Sequence, residues 1–129
     1  MFSGTRPDNL GVKNGRFAPC KPTPNCVSSQ ADPADKEHYI APIAFSGTMP
    51  ELRRAVESMT RATVISEEGN YLYAEYKSAL LGYVDDVELL LDESARLVHV
   101  RSASRLGRSD FGVNRKRIEE LRGLIGSRN

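Results

Sequence analysis

The chain has 129 residues, 40% hydrophobic and 27% charged, and its 18 basic against 17 acidic residues leave a net charge of +1. That is one domain's worth of globular protein, able to bury a core without staples and lacking a global field toward nucleic acid or an anionic membrane. Its longest apolar runs, such as Leu89-Leu90-Leu91, are a few residues, and Met1 to Pro7 contains no apolar stretch. These features exclude an integral membrane helix and predict a soluble chain without a signal peptide, cytoplasmic by default.

Residues 1–37 hold five of the seven prolines and no apolar period, which predicts an extended Pro/Gly-rich arm packed on a domain spanning 38–129. Leu10, Val12, Phe17 and Val27 are enough to tack the arm down but too few to form a core; disorder is the competing reading of such composition. Tyr39 to Phe45 reads as a short strand with Pro42 marking an edge. Thr48 and Glu51 form a capping-box pattern, and Met49, Leu52, Val56 and Met59 follow at helical spacing. Strands are expected at 63–67, 71–77, 83–91 and 97–104, the last two joined by a turn at Asp92 to Ala95. A final helix runs from about Arg115 to Ile125, capped by Asn114 and striped by Ile118, Leu121 and Ile125. The predicted class is α+β: a two-layer sandwich with an antiparallel sheet of four to five strands, two helices on one face, and the arm wrapping the domain.

With the turn at 92–95, Glu88 faces His99 and Asp86 faces Arg101. Val87, Leu89, Leu91, Val98 and Val100 form the face toward the helices, while Asp86, Glu88, His99 and Arg101 form the opposite one. Asp85, Asp86, Glu88 and Arg101 are the candidate catalytic set, because paired carboxylates beside an arginine are raw material for acid–base chemistry. Cross-strand charge pairing on a solvent-facing sheet gives the same pattern. Asp85 points to the apolar face, so it needs a partner. Five acidic residues lie within 85–93, and the segment 101–117 carries five arginines and one lysine against one aspartate, a net +5. At least one of Asp85 and Asp86 is therefore expected to pair with an arginine of that segment, Arg101 or Arg105 first. Arg105, Arg108, Ser109, Asn114, Arg115 and Arg117 are the candidate ligands for a small anion where the strand end, the Gly107–Gly112 loop and the final helix meet. The competing reading is an internal salt-bridge network. The segment matches no phosphate-loop motif, and with Phe111 as its lone aromatic it does not read as a nucleic-acid surface.

Cys20 and Cys26 are separated by Lys-Pro-Thr-Pro-Asn and are the disulfide candidate. A metal site would need two further ligands, and only His38 and His99 remain among the histidines, so no metal and no cofactor are predicted.

The run Leu10-Gly11-Val12, Gly15-Arg16, Ala18-Pro19-Cys20 and Pro24 through Gln30, with Gly82-Tyr83-Val84-Asp85-Asp86-Val87-Glu88, Arg101-Ser102-Ala103-Ser104-Arg105 and Ser109 through Glu119, resembles the signatures of domain-of-unknown-function family 1499 across nearly the whole chain. The resemblance implies a bacterial, cyanobacterial or plastid protein with exported or membrane-attached relatives, and carries no established activity. Its motifs fall on the three places that charge and cysteine spacing single out. That implies one site built from the arm, the Asp-Asp strand and the basic loop. Three functions compete: a non-enzymatic module binding a small anionic ligand or a protein partner, favoured because no nucleophile–base pair is visible; a hydrolase or lyase using the Asp/Glu/Arg constellation; and a thiol-redox protein using Cys20 and Cys26.

Overall fold

The computed structural model describes residues 3–126; Met1, Phe2 and residues 127–129, which the expected arm and domain include, lie outside the described residues. Eight elements follow one another: β1 (Cys26–Ser28), β2 (Ile43–Ala44), α1 (Met49–Glu57), β3 (Ala62–Glu68), β4 (Tyr71–Lys77), β5 (Val84–Asp92), β6 (Leu97–Ser104) and α2 (Val113–Ile125). The fold is α+β. One antiparallel sheet of six strands runs β1-β6-β5-β4-β3, with β2 also on β6. β1 pairs with residues 101–103 and β2 with 97–98, so the two short strands share the outer edge of β6. The sheet thus exceeds the expected four or five strands, and the added one comes from the arm. Three residues are too few to show an alternation, which is why Cys26–Ser28 is invisible as a strand in the sequence.

Helix α1 begins as its sequence predicts. Thr48 Oγ1 accepts from the Glu51 backbone N–H, and the Glu51 carboxylate accepts from the Thr48 N–H at 3.1 Å. Its buried stripe is Met49, Leu52 and Val56. α2 departs from expectation at its start. Asn114 is not the cap but a fully buried residue of the first turn. Gly112, at φ 80°, occupies the cap position, and the capping carboxylate belongs to Asp110, which accepts from the N–H groups of Gly112 (2.8 Å) and Asn114 (3.0 Å). An aspartate so placed also complements the helix dipole, so it displaces the neutral asparagine from that role. Ile118, Leu121 and Ile125 join Leu52 and Val56 in one core cluster with Leu72, Ala74, Val87, Leu89, Val98 and Val100. Both helices therefore lie on the same face of the sheet, and they touch each other.

The central hairpin slides from its expected register by two residues. β5 continues through Asp92, whose carboxylate accepts from the Ser94 hydroxyl and the Ala95 N–H, and the turn is 93–96 with Arg96 at φ 57°. Glu88 consequently faces Arg101, Asp86 faces Ala103 and Asp85 faces Ser104. A slide of two leaves every side chain on its expected face, since the side-chain period is two.

Cys20 and Cys26 form a disulfide, with Cα atoms 5.7 Å apart and a sequence separation of 6. Cys26 is buried and opens β1, so the bridge ties the arm to the sheet edge. Closing so short a loop contributes about 2 kcal/mol. Replacing both cysteines by serine, or reducing the parent protein, is expected to lower the unfolding free energy by about that amount in urea titrations.

Candidate functional site

The sheet face opposite the helices carries Tyr71, Tyr73 and Glu75 from β4, Asp86 and Glu88 from β5, and His99, Arg101 and Ala103 from β6, in adjoining registers. As a charged, alternating face it is expected to meet solvent. Instead the arm covers it. Asp86 is 1% exposed, Glu88 0% and Arg101 6%. Alternation in the sequence distinguishes two faces of a strand but not water from an overlying segment of chain. Gln30 helps to hold that segment, accepting from the Phe17 N–H at 2.8 Å and donating to the Gly15 carbonyl at 2.8 Å. Phe17 of the segment is buried, while Val27 of β1 turns to the other face and joins the core under the helices.

Burial obliges each charge to find partners. Glu88 accepts from the Gly11 N–H of the arm (2.7 Å), from the Tyr71 hydroxyl (2.7 Å) and from Arg101 (3.4 Å). Asp86 accepts from both Nε (2.9 Å) and Nη2 (2.8 Å) of Arg105, a bidentate pair, and from the Tyr73 hydroxyl. Arg105 also reaches Glu75 at 2.6 Å and the Ser3 carbonyl at 3.3 Å, while Arg6 of the arm takes Glu75 at 2.7 Å. Burial, reinforced by the neighbouring carboxylates, raises the phenols of Tyr71 and Tyr73, which keeps both as neutral donors. Burial alone would raise the Glu75 carboxyl, but hydrogen bonds from Arg6, Tyr73 and Arg105 hold it below its usual value.

On the helix face, Asp85 pairs with Arg117 at 2.9 Å, and the same guanidinium lies 4.8 Å from the centre of the Tyr76 ring. Arg117 also donates to Ser102 Oγ and Asn114 Oδ1, and Asn114 Nδ2 donates to Ser104 Oγ, Asp110 and the Asn25 carbonyl. The expected acid–arginine pairing thus occurs twice, once on each face. Arg101, expected on Asp86, goes to Glu88 because of the register slide. Arg115 donates to the carbonyls of Lys36 and Glu37. Ser109 Oγ accepts from the Phe111 N–H, and Arg108 is exposed on the loop. The candidate ligands therefore do not converge: Arg105 faces the arm, Arg117 and Asn114 lie under the helix, and Arg108, Ser109 and Arg115 lie outside.

The arm, the Asp-Asp strand and the start of the basic segment meet at a cavity of about 300 Å³ between arm and sheet. Asp8, Asn9, Lys21 and Asn25 line it from the arm side, and Asp86, Arg101, Ser104 and Arg105 from the sheet. Arg101 is undersupplied there. Its Nη1 and Nη2 reach Glu88 and the Pro19 carbonyl at 3.4 Å each, and its Nε is buried with no hydrogen-bond partner. Among the described residues, no three His, Cys, Asp or Glu side chains gather as metal ligands would. Sequence reasoning missed Tyr71, Tyr73, Glu75, Arg6 and Lys21. The alternation Tyr71, Tyr73, Glu75 was a usable signal, because in a paired register it sets two phenols and a carboxylate beside Glu88 and Asp86.

His38 is buried between two acceptors: its Nδ1 lies 2.8 Å from the Asp35 carboxylate and its Nε2 2.9 Å from the Thr23 carbonyl, contacts that both nitrogens can make as donors only in the protonated ring. Burial lowers its pKa, but these bonds and the charges of Asp35 and Glu37 raise it overall, while the Asp35 carboxyl is lowered by the same contact.

Arg105→Ala leaves Asp86 buried without its cation, and is expected to cost about 3–5 kcal/mol in denaturant unfolding. Arg6→Ala, on a half-exposed guanidinium, is expected to leave the melting temperature nearly unchanged. The His38 contribution is fully present below its unfolded pKa of about 6.5 and disappears as pH rises through the higher folded value. The Asp35 contribution is present above its unfolded pKa and disappears as pH falls through the lowered one. Melting temperature should therefore fall with rising pH above about 6.5 in the parent, and His38→Gln should flatten that limb.

No helix among the described residues is long and apolar enough to cross a membrane. No curated protein and no solved structure matches the chain. The family described as "Protein of unknown function (DUF1499)" matches residues 16–125, a span that takes in the disulfide, both acid–arginine pairs and Arg101, and the chain belongs to that family.

Proposed function

We propose that this chain is a non-enzymatic binding module that holds a small carboxylate- or phosphate-bearing ligand in the cavity between arm and sheet, with Arg101 as the anchoring cation. The observation that carries this reading is that Arg101, which lines a cavity of about 300 Å³, is undersupplied: it is 6% exposed, with two long hydrogen bonds and a buried Nε without a partner. Leaving a charged donor buried and unpaired costs at least about 1–3 kcal/mol. An anion answers that cost best, because the guanidinium fork suits its paired oxygens. Lys21 and the exposed Asp8 line the same cavity with opposite charges, and the Asp86 and Arg105 charges there are paired with each other. The volume suits a small metabolite.

The same geometry weighs against the rival readings. A general base or nucleophile must reach its substrate, and Asp86 and Glu88 are 1% and 0% exposed with their carboxylates turned to donors of the protein itself. Thiol–disulfide exchange needs access to a sulfur of the bridge, and Cys26 is 3% exposed and held at the start of β1.

Melting temperature in phosphate and in succinate, against chloride at matched ionic strength, tests the proposal. A hundredfold excess over the dissociation constant should stabilise the protein by about 2.7 kcal/mol. Arg101→Lys and Lys21→Ala should reduce this gain, whereas Arg108→Ala/Arg115→Ala should keep it. Equal gains in the parent and in the Lys21 and Arg101 variants would reflect general anion exclusion and end the proposal. Loss in the Arg108/Arg115 variant instead would move the ligand to the 107–117 loop.

A further inference from the structure

Among the described residues, most of the large apolar side chains left in water gather at one end of the sheet: Leu80, Leu81 and Tyr83 in the β4–β5 connection, and Leu106, Phe111 and Val113 around the β6–α2 connection. The two connections are neighbours, because β5 and β6 pair up to Asp85 and Ser104 and the Arg105 N–H then reaches the Val84 carbonyl. Leu80 is 77% exposed and Phe111 95%. Exposure of this extent in adjoining loops is unusual for a surface that meets only water.

Four exposed cations ring these tips: Arg61 and Lys77 beside the first connection, Arg108 and Lys116 beside the second. Of the acids nearby, Asp85 is paired with Arg117, which leaves Asp110 at the start of α2 and Glu120 against the four cations. The near-zero total charge conceals this local excess. Within the first tip, Ser78 Oγ donates to the Leu80 carbonyl and accepts from the Tyr83 N–H, and the Ser78 N–H donates to the Tyr83 carbonyl.

We propose that this end of the sheet is a peripheral docking surface for an anionic lipid bilayer, with Leu80, Leu81 and Phe111 entering the headgroup–acyl boundary and Arg61, Lys77, Arg108 and Lys116 meeting acidic headgroups. Charge complementarity selects this occupant: paired cations and exposed apolar side chains are the recognised elements of interfacial binding. A second copy related by a two-fold axis would bring like charges together. This surface is separate from the arm cavity and does not depend on a ligand there.

Co-sedimentation of the full chain with vesicles of phosphatidylcholine, with or without phosphatidylserine, tests it. The chain should sediment with the phosphatidylserine vesicles, little with the neutral ones, and less as salt rises. Leu80→Ser/Phe111→Ser should weaken partitioning by about tenfold or more, and Arg108→Glu/Lys116→Glu should abolish the preference for anionic lipid. Both variants alter exposed side chains, so their melting temperatures should match the parent's. A parent that fails to sediment with phosphatidylserine vesicles at low salt would overturn the proposal, as would an apolar variant that sediments like the parent. A dimer in sedimentation velocity that this variant disperses would assign the patch to self-association instead.

Discussion

Everything on the arm side of the sheet depends on two carboxylates that the central strand buries. Asp86 and Glu88 stand on one face of β5, flanked by β4 and β6, at 1% and 0% exposure. Ionised carboxylates at that depth are tolerable only when their lone pairs are occupied by donors. The sheet supplies Tyr71, Tyr73 and Arg101, and the segment after β6 supplies Arg105. The remaining donors come from the arm: the Gly11 N–H on Glu88 and, one step outward, Arg6 on Glu75. The arm is therefore not an appendage that happens to lie on a finished domain. Lifting it would strip Glu88 of a donor and admit water to a network arranged to exclude it.

Such a network is weak ground for a claim of great stability, since desolvation offsets much of what the pairs return. What it does set is position. An apolar face would accept the arm in many registers, whereas a backbone N–H on Glu88, a guanidinium on Glu75 and a carbonyl on Arg101 admit one. The disulfide acts at the other end of the same segment, anchoring Cys26 at the start of β1 and Cys20 beside Pro19, whose carbonyl Arg101 reaches. Two constraints at separate points hold the arm above the face, and the cavity at Arg101 lies between them.

The helix face was legible in the sequence because it follows periodic rules. Met49, Leu52 and Val56 recur at helical spacing, Val87, Leu89, Val98 and Val100 recur at two, and all meet in one core. The charged face was legible as a face, and the two-residue slide of the hairpin left it intact, but its environment was not. Nothing local separates Asp86 and Glu88 from carboxylates that point into water. That distinction is made by Gly11 and Arg6, which lie 77 and 69 residues away from the groups they bind. Asn114 illustrates the opposite case: a good capping residue in the right place, overridden because Asp110 offers a charged acceptor two residues before the cap.

The adjacent acids Asp85 and Asp86 both stand in the candidate catalytic set, but successive residues of a strand point to opposite faces, as the alternation in the sequence already separates them. Asp85 enters the helix layer and takes Arg117; Asp86 enters the arm layer and takes Arg105. Both arginines lie beyond the end of β6, so the two ion pairs grip the chain between them from opposite sides of the same strand. Within that gripped stretch the described backbone is further held by Asp110 on Gly112 and Asn114, and by Asn25 on the carbonyls of Leu106 and Gly107. A loop so restrained has no need of Leu106 or Phe111 to fold it, and they stand in solvent. The polar contacts shape the loop, which leaves its apolar side chains free for a surface outside the molecule.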